Sequence, residues 1–163
     1  MKSEIDLEEL AKFLVKAKKN AYAGSGKEIT SQRPGFKELE FSQGEWNYRD
    51  SYCGFFCAPG QEIVRFQDIP VWAMSYDGGV SKIVRTDNTD YAKRIFSFLK
   101  KALSKVTEAN PFRGPEVFEE ENFCYINDVE DGNITRFKGV EHILEKDIEV
   151  FRQNYIGGLI ISK

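Results

Sequence analysis

Residues 60–81 read GQEIVRFQDIPVWAMSYDGGVS, and residues 139–160 read GVEHILEKDIEVFRQNYIGGLI. Laid over each other at an offset of 79, they share Gly60/Gly139, Glu62/Glu141, Asp68/Asp147, Ile69/Ile148, Val71/Val150, Tyr76/Tyr155, Gly78/Gly157 and Gly79/Gly158, eight identities in 22 positions. Within the first copy Trp72, Met74 and Tyr76 alternate with Val71, Ala73 and Ser75, the period of a strand with two unlike faces. Gln67-Asp68-Ile69-Pro70 reads as the turn joining two antiparallel strands.

The correspondence continues outward. At an offset of 77, Trp46-Asn47-Tyr48-Arg49-Asp50 lies over Phe123-Cys124-Tyr125-Ile126-Asn127. At an offset of 85, Phe13, Leu14, Lys16 and Ala17 lie over Phe98, Leu99, Lys101 and Ala102. The offset changes only between elements, where insertions are tolerated. Both of the last-named segments have helical spacing. Leu7, Leu10, Ala11, Leu14 and Ala17 predict a helix from a cap at Asp6 to about Asn20, stopping near Gly24, and Asp6 with Glu9 resembles a capping box. Ala92, Ile95, Phe96, Leu99, Ala102 and Leu103 predict a second from about Thr89 to Ser104, capped by Asn88 or Thr89. Further strands fit residues 37–41, 62–66, 123–128, 134–137, 142–145 and 148–155, and Gly24–Gly35 and Asn110–Pro115 read as loops. The expectation is one domain over residues 1–163, built from tandem repeats at about 6–81 and 89–161. Each repeat is a helix followed by an antiparallel meander of about four strands. A half alone would leave one sheet face bare, whereas two together bury a helix layer against a shared or paired sheet, so the fold class is α+β.

Composition agrees with a folded core. The chain has 163 residues, 41% hydrophobic and 13% aromatic, and a chain of this size buries about 70% of its surface. A net charge of -3 and a pI near 5.4 argue against a surface given over to nucleic acid. His142 is the single histidine, which excludes a multi-histidine metal site within one chain. No apolar leader or span of about 20 residues is present, and three cysteines, Cys53, Cys57 and Cys124, fit reduced structural thiols in a cytoplasm. No cofactor or metal is expected.

Several familiar motifs fail on inspection. Ala21 to Lys27 resembles the end of a P-loop but begins with Ala, continues with Glu28 instead of Ser or Thr, and follows a helix. Ser25 has no nucleophile elbow around it. Glu116 and Glu119–Glu121 read as a solvated acidic loop without a calcium pattern. Lys93, Arg94, Lys100, Lys101 and Lys105 read as the solvated face of the second helix.

Seven strings together suggest a family. They are Phe13 to Lys18, Arg33-Pro34-Gly35, Tyr48-Arg49-Asp50-Ser51-Tyr52, Gly60-Gln61-Glu62, Pro70-Val71-Trp72, Pro111-Phe112-Arg113-Gly114-Pro115 and Tyr155 to Ile160. The chain resembles, over almost its whole length, family 5680 of the domains of unknown function. The resemblance implies no catalytic residues. It implies a domain that occurs alone or behind a Cro/repressor-type helix-turn-helix, and hence a helix-turn-helix regulator as a partner. The family's last motif has a polar residue, often His, before Gly-Gly, where this chain has Ile156.

Strand pleating places Trp46, Tyr48, Asp50 and Tyr52 on one face, with Trp72 and Tyr76 beside them. The repeat puts Tyr125, Asn127 and Tyr155 at the matching places, with Gln153 near them. Aromatic faces interrupted by a few polar groups make small-molecule sites, and these nine residues are the candidate ligand site; the same pattern also suits a packed core. The expectation is a non-enzymatic small-molecule-sensing or regulatory interaction domain. The alternative is a small cytosolic enzyme, such as a hydrolase, using Asp50 with Arg49, Tyr48 or His142. A third reading is a protein-interaction module.

Overall fold

The computed structural model describes residues 5–23, 26–82 and 88–162. Among them are two helices, α1 (Leu7–Asn20) and α2 (Thr89–Leu103). Nine strands accompany them: β1 (Glu28–Ile29), β2 (Lys37–Gln43), β3 (Trp46–Tyr52), β4 (Gly60–Phe66), β5 (Ile69–Val80), β6 (Val117–Glu120), β7 (Phe123–Asn133), β8 (Arg136–Glu145) and β9 (Ile148–Leu159). The class is α+β. The strands form one sheet in the order β1-β2-β3-β4-β5-β9-β8-β7-β6, antiparallel throughout. The two meanders therefore join through their last strands, β5 and β9.

Local chemistry explains the elements. The Asp6 carboxylate accepts from the backbone N–H groups of Glu8 and Glu9 at 2.9 and 3.2 Å, and Glu9 pairs with Lys12. Asn88 caps α2 by accepting from the Tyr91 N–H. The β4–β5 hairpin turns through Gln67 and Asp68, and the β8–β9 hairpin through Lys146 and Asp147, all four at positive φ, as a tight two-residue turn with the right twist requires. One bulge follows each turn, at the step opposite Val64/Arg65 and Ile143/Leu144. The extra residues are Val71 and Val150, which explains why Val71-Trp72 and Val150-Phe151 are buried as adjacent pairs.

Each helix covers its own part of one sheet face. Leu10, Phe13, Leu14 and Ala17 of α1 pack on Leu39, Tyr48, Val64, Trp72 and Met74. Ala92, Ile95, Phe98, Leu99 and Ala102 of α2 pack on Phe123, Tyr125, Ile143 and Phe151. Phe112, from the loop after α2, stacks on Phe137 at 4.0 Å, and Phe137 stacks on Trp72. Among the described residues no helix lies on the other face.

Three sequence expectations change. Residues 134–137 and 142–145 are not separate strands. β8 is continuous across Gly139, because Gly139 pairs with Val129 of β7 on one side and Tyr155 of β9 on the other. The acidic stretch is partly strand, since Val117–Glu120 pairs with β7 and Lys101 binds Glu120. The loop at 24–35 contains β1, while Gly24 and Ser25 lie outside the described residues. No helix among the described residues is long and apolar enough to cross a membrane.

Candidate functional site

Between the two helix-covered cores lies a row of charged side chains. Lys18, on the last turn of α1, reaches the sheet and pairs with Glu62 of β4. Arg113, in the loop after α2, donates from Nε and Nη2 to Glu141 Oε1 of β8 at 3.0 and 2.6 Å, while its Nη1 stands 3.5 Å from Glu62 Oε1. One guanidinium thus bridges two glutamates on opposite sides of the β5–β9 seam. All four residues are at least 93% buried. Burial pushes the Lys18 ammonium below its usual range, against the pull of Glu62. Two cations and two carboxylates balance one another, which is the condition for burying charge at all.

Asp50 is the fifth member and forms no ion pair among the described residues. It is Glu62's cross-strand neighbour on β3 and is 3% exposed. Its Oδ1 accepts from the Tyr76 hydroxyl at 2.7 Å, and Oδ2 has no hydrogen-bond partner among the described residues. Burial, then the Glu62 charge, push its carboxyl up to about 7, against the Tyr76 bond, Arg113 and Lys18.

Asp50 lines a cavity of about 190 Å³. Tyr52, Tyr76 and Gln153 line it from the sheet, Phe96 and Leu99 from α2, Tyr22 from the turn after α1, Arg113 from the loop after α2, Gly54, Phe55 and Ala58 from the β3–β4 loop, and Lys37 and Lys100 complete it. Phe55 packs edge-on against Phe96. Lys100 stands 5.1 Å over the Tyr22 ring and Arg113 5.3 Å over that of Tyr76. An engineered apolar cavity of about 150 Å³ holds benzene, so one ring and a few further atoms fit this volume.

Of the nine sequence candidates, all lie on the helix-covered face, and three line the cavity: Asp50, Tyr52 and Tyr76. The others pack. Trp46 stacks on Phe13 and meets Phe66. Trp72 is fully buried and donates to the Ile134 carbonyl. Tyr48 lies under Lys18. Tyr125 donates to Glu141 and accepts from the Gly114 N–H, Asn127 donates to the Gly114 carbonyl, and Tyr155 donates to Asn127. In this second half the loop residue Gly114 occupies the space beside Tyr125 and Asn127; a Cβ there would stand 2.7 Å from the Tyr125 ring.

Sequence reasoning missed Lys18, Arg113 and Tyr22. Lys18 interrupts the buried face of α1 four residues after Leu14, which was a readable signal. Arg113 sits in a Pro-flanked string whose tertiary position no local pattern encodes. Arg49 and His142, offered as partners of Asp50, point to the other sheet face. Arg49 binds Gln32 and Glu40, and His142 Nδ1 lies 2.6 Å from Glu149. That catalytic constellation is not assembled. Of the basic residues on α2, Arg94 lies over Tyr91 and Phe123, Lys93 near Asp90 and Lys101 against Glu120, so they do not form one free stripe. Cys53 and Cys124 are free thiols, and among the described residues no group of three or more His, Cys, Asp or Glu is placed to hold a metal.

The chain matches the model of a domain of unknown function (DUF5680) over residues 50–160. It belongs to that family. The DUF5680 segment contains Asp50, Glu62, Tyr76, Arg113 and Glu141, whereas α1 with Lys18 and Tyr22 precedes it. No curated protein matches the chain, and no solved structure does.

Proposed function

We propose that the chain is a non-enzymatic small-molecule-binding domain, with its ligand in the cavity over Asp50. The observation that carries this reading is a carboxyl group, 97% buried, that lines an open space and whose second oxygen makes no hydrogen bond among the described residues. Aromatic walls with a few convergent polar groups are the usual make-up of a ligand site. The role would be sensing inside a cytoplasmic regulator, with a helix-turn-helix protein as the partner that reads the bound state.

We also read the chain as one domain made of two tandem helix-plus-meander repeats. Equivalent turns, equivalent bulges and two equivalent tyrosine–glycine pairs support this. So does the β5–β9 register, in which Met74↔Gly157 and Gly78↔Gln153 exchange when 79 is added or subtracted. In this view the cavity exists because one half lacks the plug that Gly114 supplies to the other.

A thermal-shift screen of small metabolites on the folded protein tests the function. Ligand at about 100 times its Kd adds about 2.7 kcal/mol of stability. A broad screen without a stabilising compound would sink the reading.

A further inference from the structure

Resting on that reading, we propose that the cavity takes a planar, single-ring cation whose N–H groups bind Asp50: an amidine, or a protonated amino-heterocycle.

Three observations converge on this class. The first is charge. Lys18 is paired with Glu62, and Arg113 with Glu141 and Glu62, so ionised Asp50 is the unbalanced charge of the buried set. An occupant bringing one positive charge completes the balance that burial requires. The second is polarity read from the protein's other half. There Asn127 holds an occupant, the Gly114 peptide, by donating to its carbonyl at 3.0 Å. At the matching position Asp50 offers an acceptor instead. The occupant's complementary group is therefore a donor, and a carboxylate matches a forked pair of donors best. The third is shape. About 190 Å³ bounded by Tyr22, Tyr52, Phe55, Tyr76 and Phe96 suits one ring, and aromatic faces favour a cation, while the two lysines of the lining, Lys37 and Lys100, are exposed to solvent, where their charges are screened.

Binding such a cation needs Asp50 ionised, so it releases the proton that Asp50 holds when the cavity has no ligand. The groups acting on Asp50 are Glu62 from β4, the hydroxyls of Tyr48, Tyr52, Tyr76 and Tyr22, and the cations Arg113 and Lys18. With its carboxyl near 7, the ionised fraction rises about tenfold from pH 6 to pH 8.

Benzamidine, benzamide and benzoate share one shape and carry charges of plus one, zero and minus one. Their affinities for the full chain, measured by calorimetry or NMR titration at pH 6 and pH 8, test the proposal. Benzamidine should bind at least tenfold tighter than benzamide at pH 8, benzoate weakest, with benzamidine gaining about tenfold between pH 6 and pH 8. Asp50→Asn should erase the preference for the cation. This variant keeps the fold because Asn127 already makes the same bond to Tyr155 in the other half. Tighter binding of benzamide or benzoate, or a cation preference that survives Asp50→Asn, overturns the proposal. If none of the three binds while a neutral or anionic screening hit does so at Tyr52 and Phe96, the ligand class is wrong and the binding role stands. If nothing binds at all, both are wrong.

Discussion

Tyr76 and Tyr155 are direct cross-strand neighbours on the β5–β9 seam, and they reach in opposite directions. Tyr76 crosses Gly60 on β4 to donate to Asp50 on β3; Tyr155 crosses Gly139 on β8 to donate to Asn127 on β7. Both bonds are 2.7 Å long. Glycine on the intervening strand lets each ring lie flat over the backbone. The seam between the two meanders is thus tied into the third strand on each side, and the ends of those ties are an acid in one half and an amide in the other.

The crossing predicts a steric cost. A Cβ at Gly60 or Gly139 would collide with the Tyr76 or Tyr155 hydroxyl and also crowd the backbone oxygen of Ser51 or Asp128. Gly60→Ala and Gly139→Ala should each lose about 1–3 kcal/mol, the range for an added methyl in a packed site. Urea unfolding of the two variants checks this. Unchanged midpoints would mean that the rings move aside freely.

Arg113 predicts a larger loss. It is the common partner of Glu62 and Glu141, and removing it leaves Glu141 buried without its cation and Glu62 with Lys18 alone. Arg113→Met should cost about 3–5 kcal/mol, as for breaking a buried ion pair. Arg113→Lys should recover only part, because an ammonium cannot reproduce the two bonds from Nε and Nη2 to Glu141. Equal stability of the lysine variant and the parent chain would contradict the bridging geometry.

The elements and the buried face were legible because they rest on local period and chemistry. Asp6 and Asn88 cap the helices where cap chemistry placed them, and the Trp46-to-Tyr52 alternation does put its aromatic face under the helices. Two things were not legible. The continuity of β8 depends on its pairing with both β7 and β9 at Gly139, tertiary contacts that no window of alternation contains. Which candidates pack and which line the cavity depends on the loop carrying Gly114, which fills the second half and has no counterpart over Asp50 among the described residues. A pattern common to both halves could not separate Asp50 from Asn127 by position. Only the change from amide to acid distinguished them.

Asp50 gives stability a readable dependence on pH. Its carboxyl is raised in the folded state, to about 7, above the value near 3.9 of an unfolded chain. The folded state therefore holds the proton more tightly, and the stabilising effect is full below about pH 4 and lost as pH rises to 7. The slope is at most about 1.4 kcal/mol per pH unit for one proton. Asp50→Asn removes the titration, so its stability relative to the parent should increase between pH 4 and pH 7 and level off above. Chemical denaturation of both proteins across this range isolates the group from all other carboxylates. A constant difference would show that Asp50 titrates normally.

Exchanging the acid and the amide should not be symmetric. Asp50→Asn keeps an acceptor for Tyr76 and removes an uncompensated carboxyl, so at pH 8 it should leave the fold as stable as before or more so. Asn127→Asp keeps an acceptor for Tyr155 but loses the donor to the Gly114 carbonyl, setting a carboxylate against a carbonyl oxygen in a buried site. An unsatisfied buried polar group costs about 1–3 kcal/mol, and more when it is charged. The Asn127→Asp variant should therefore be destabilised by at least that amount at pH 8 and partly recover at pH 5, where the new carboxyl can be protonated and donate to Gly114. Losses of equal size from the two exchanges would mean that the space beside Asp50 is filled in the same way as the space beside Asn127, and the cavity would lose its basis.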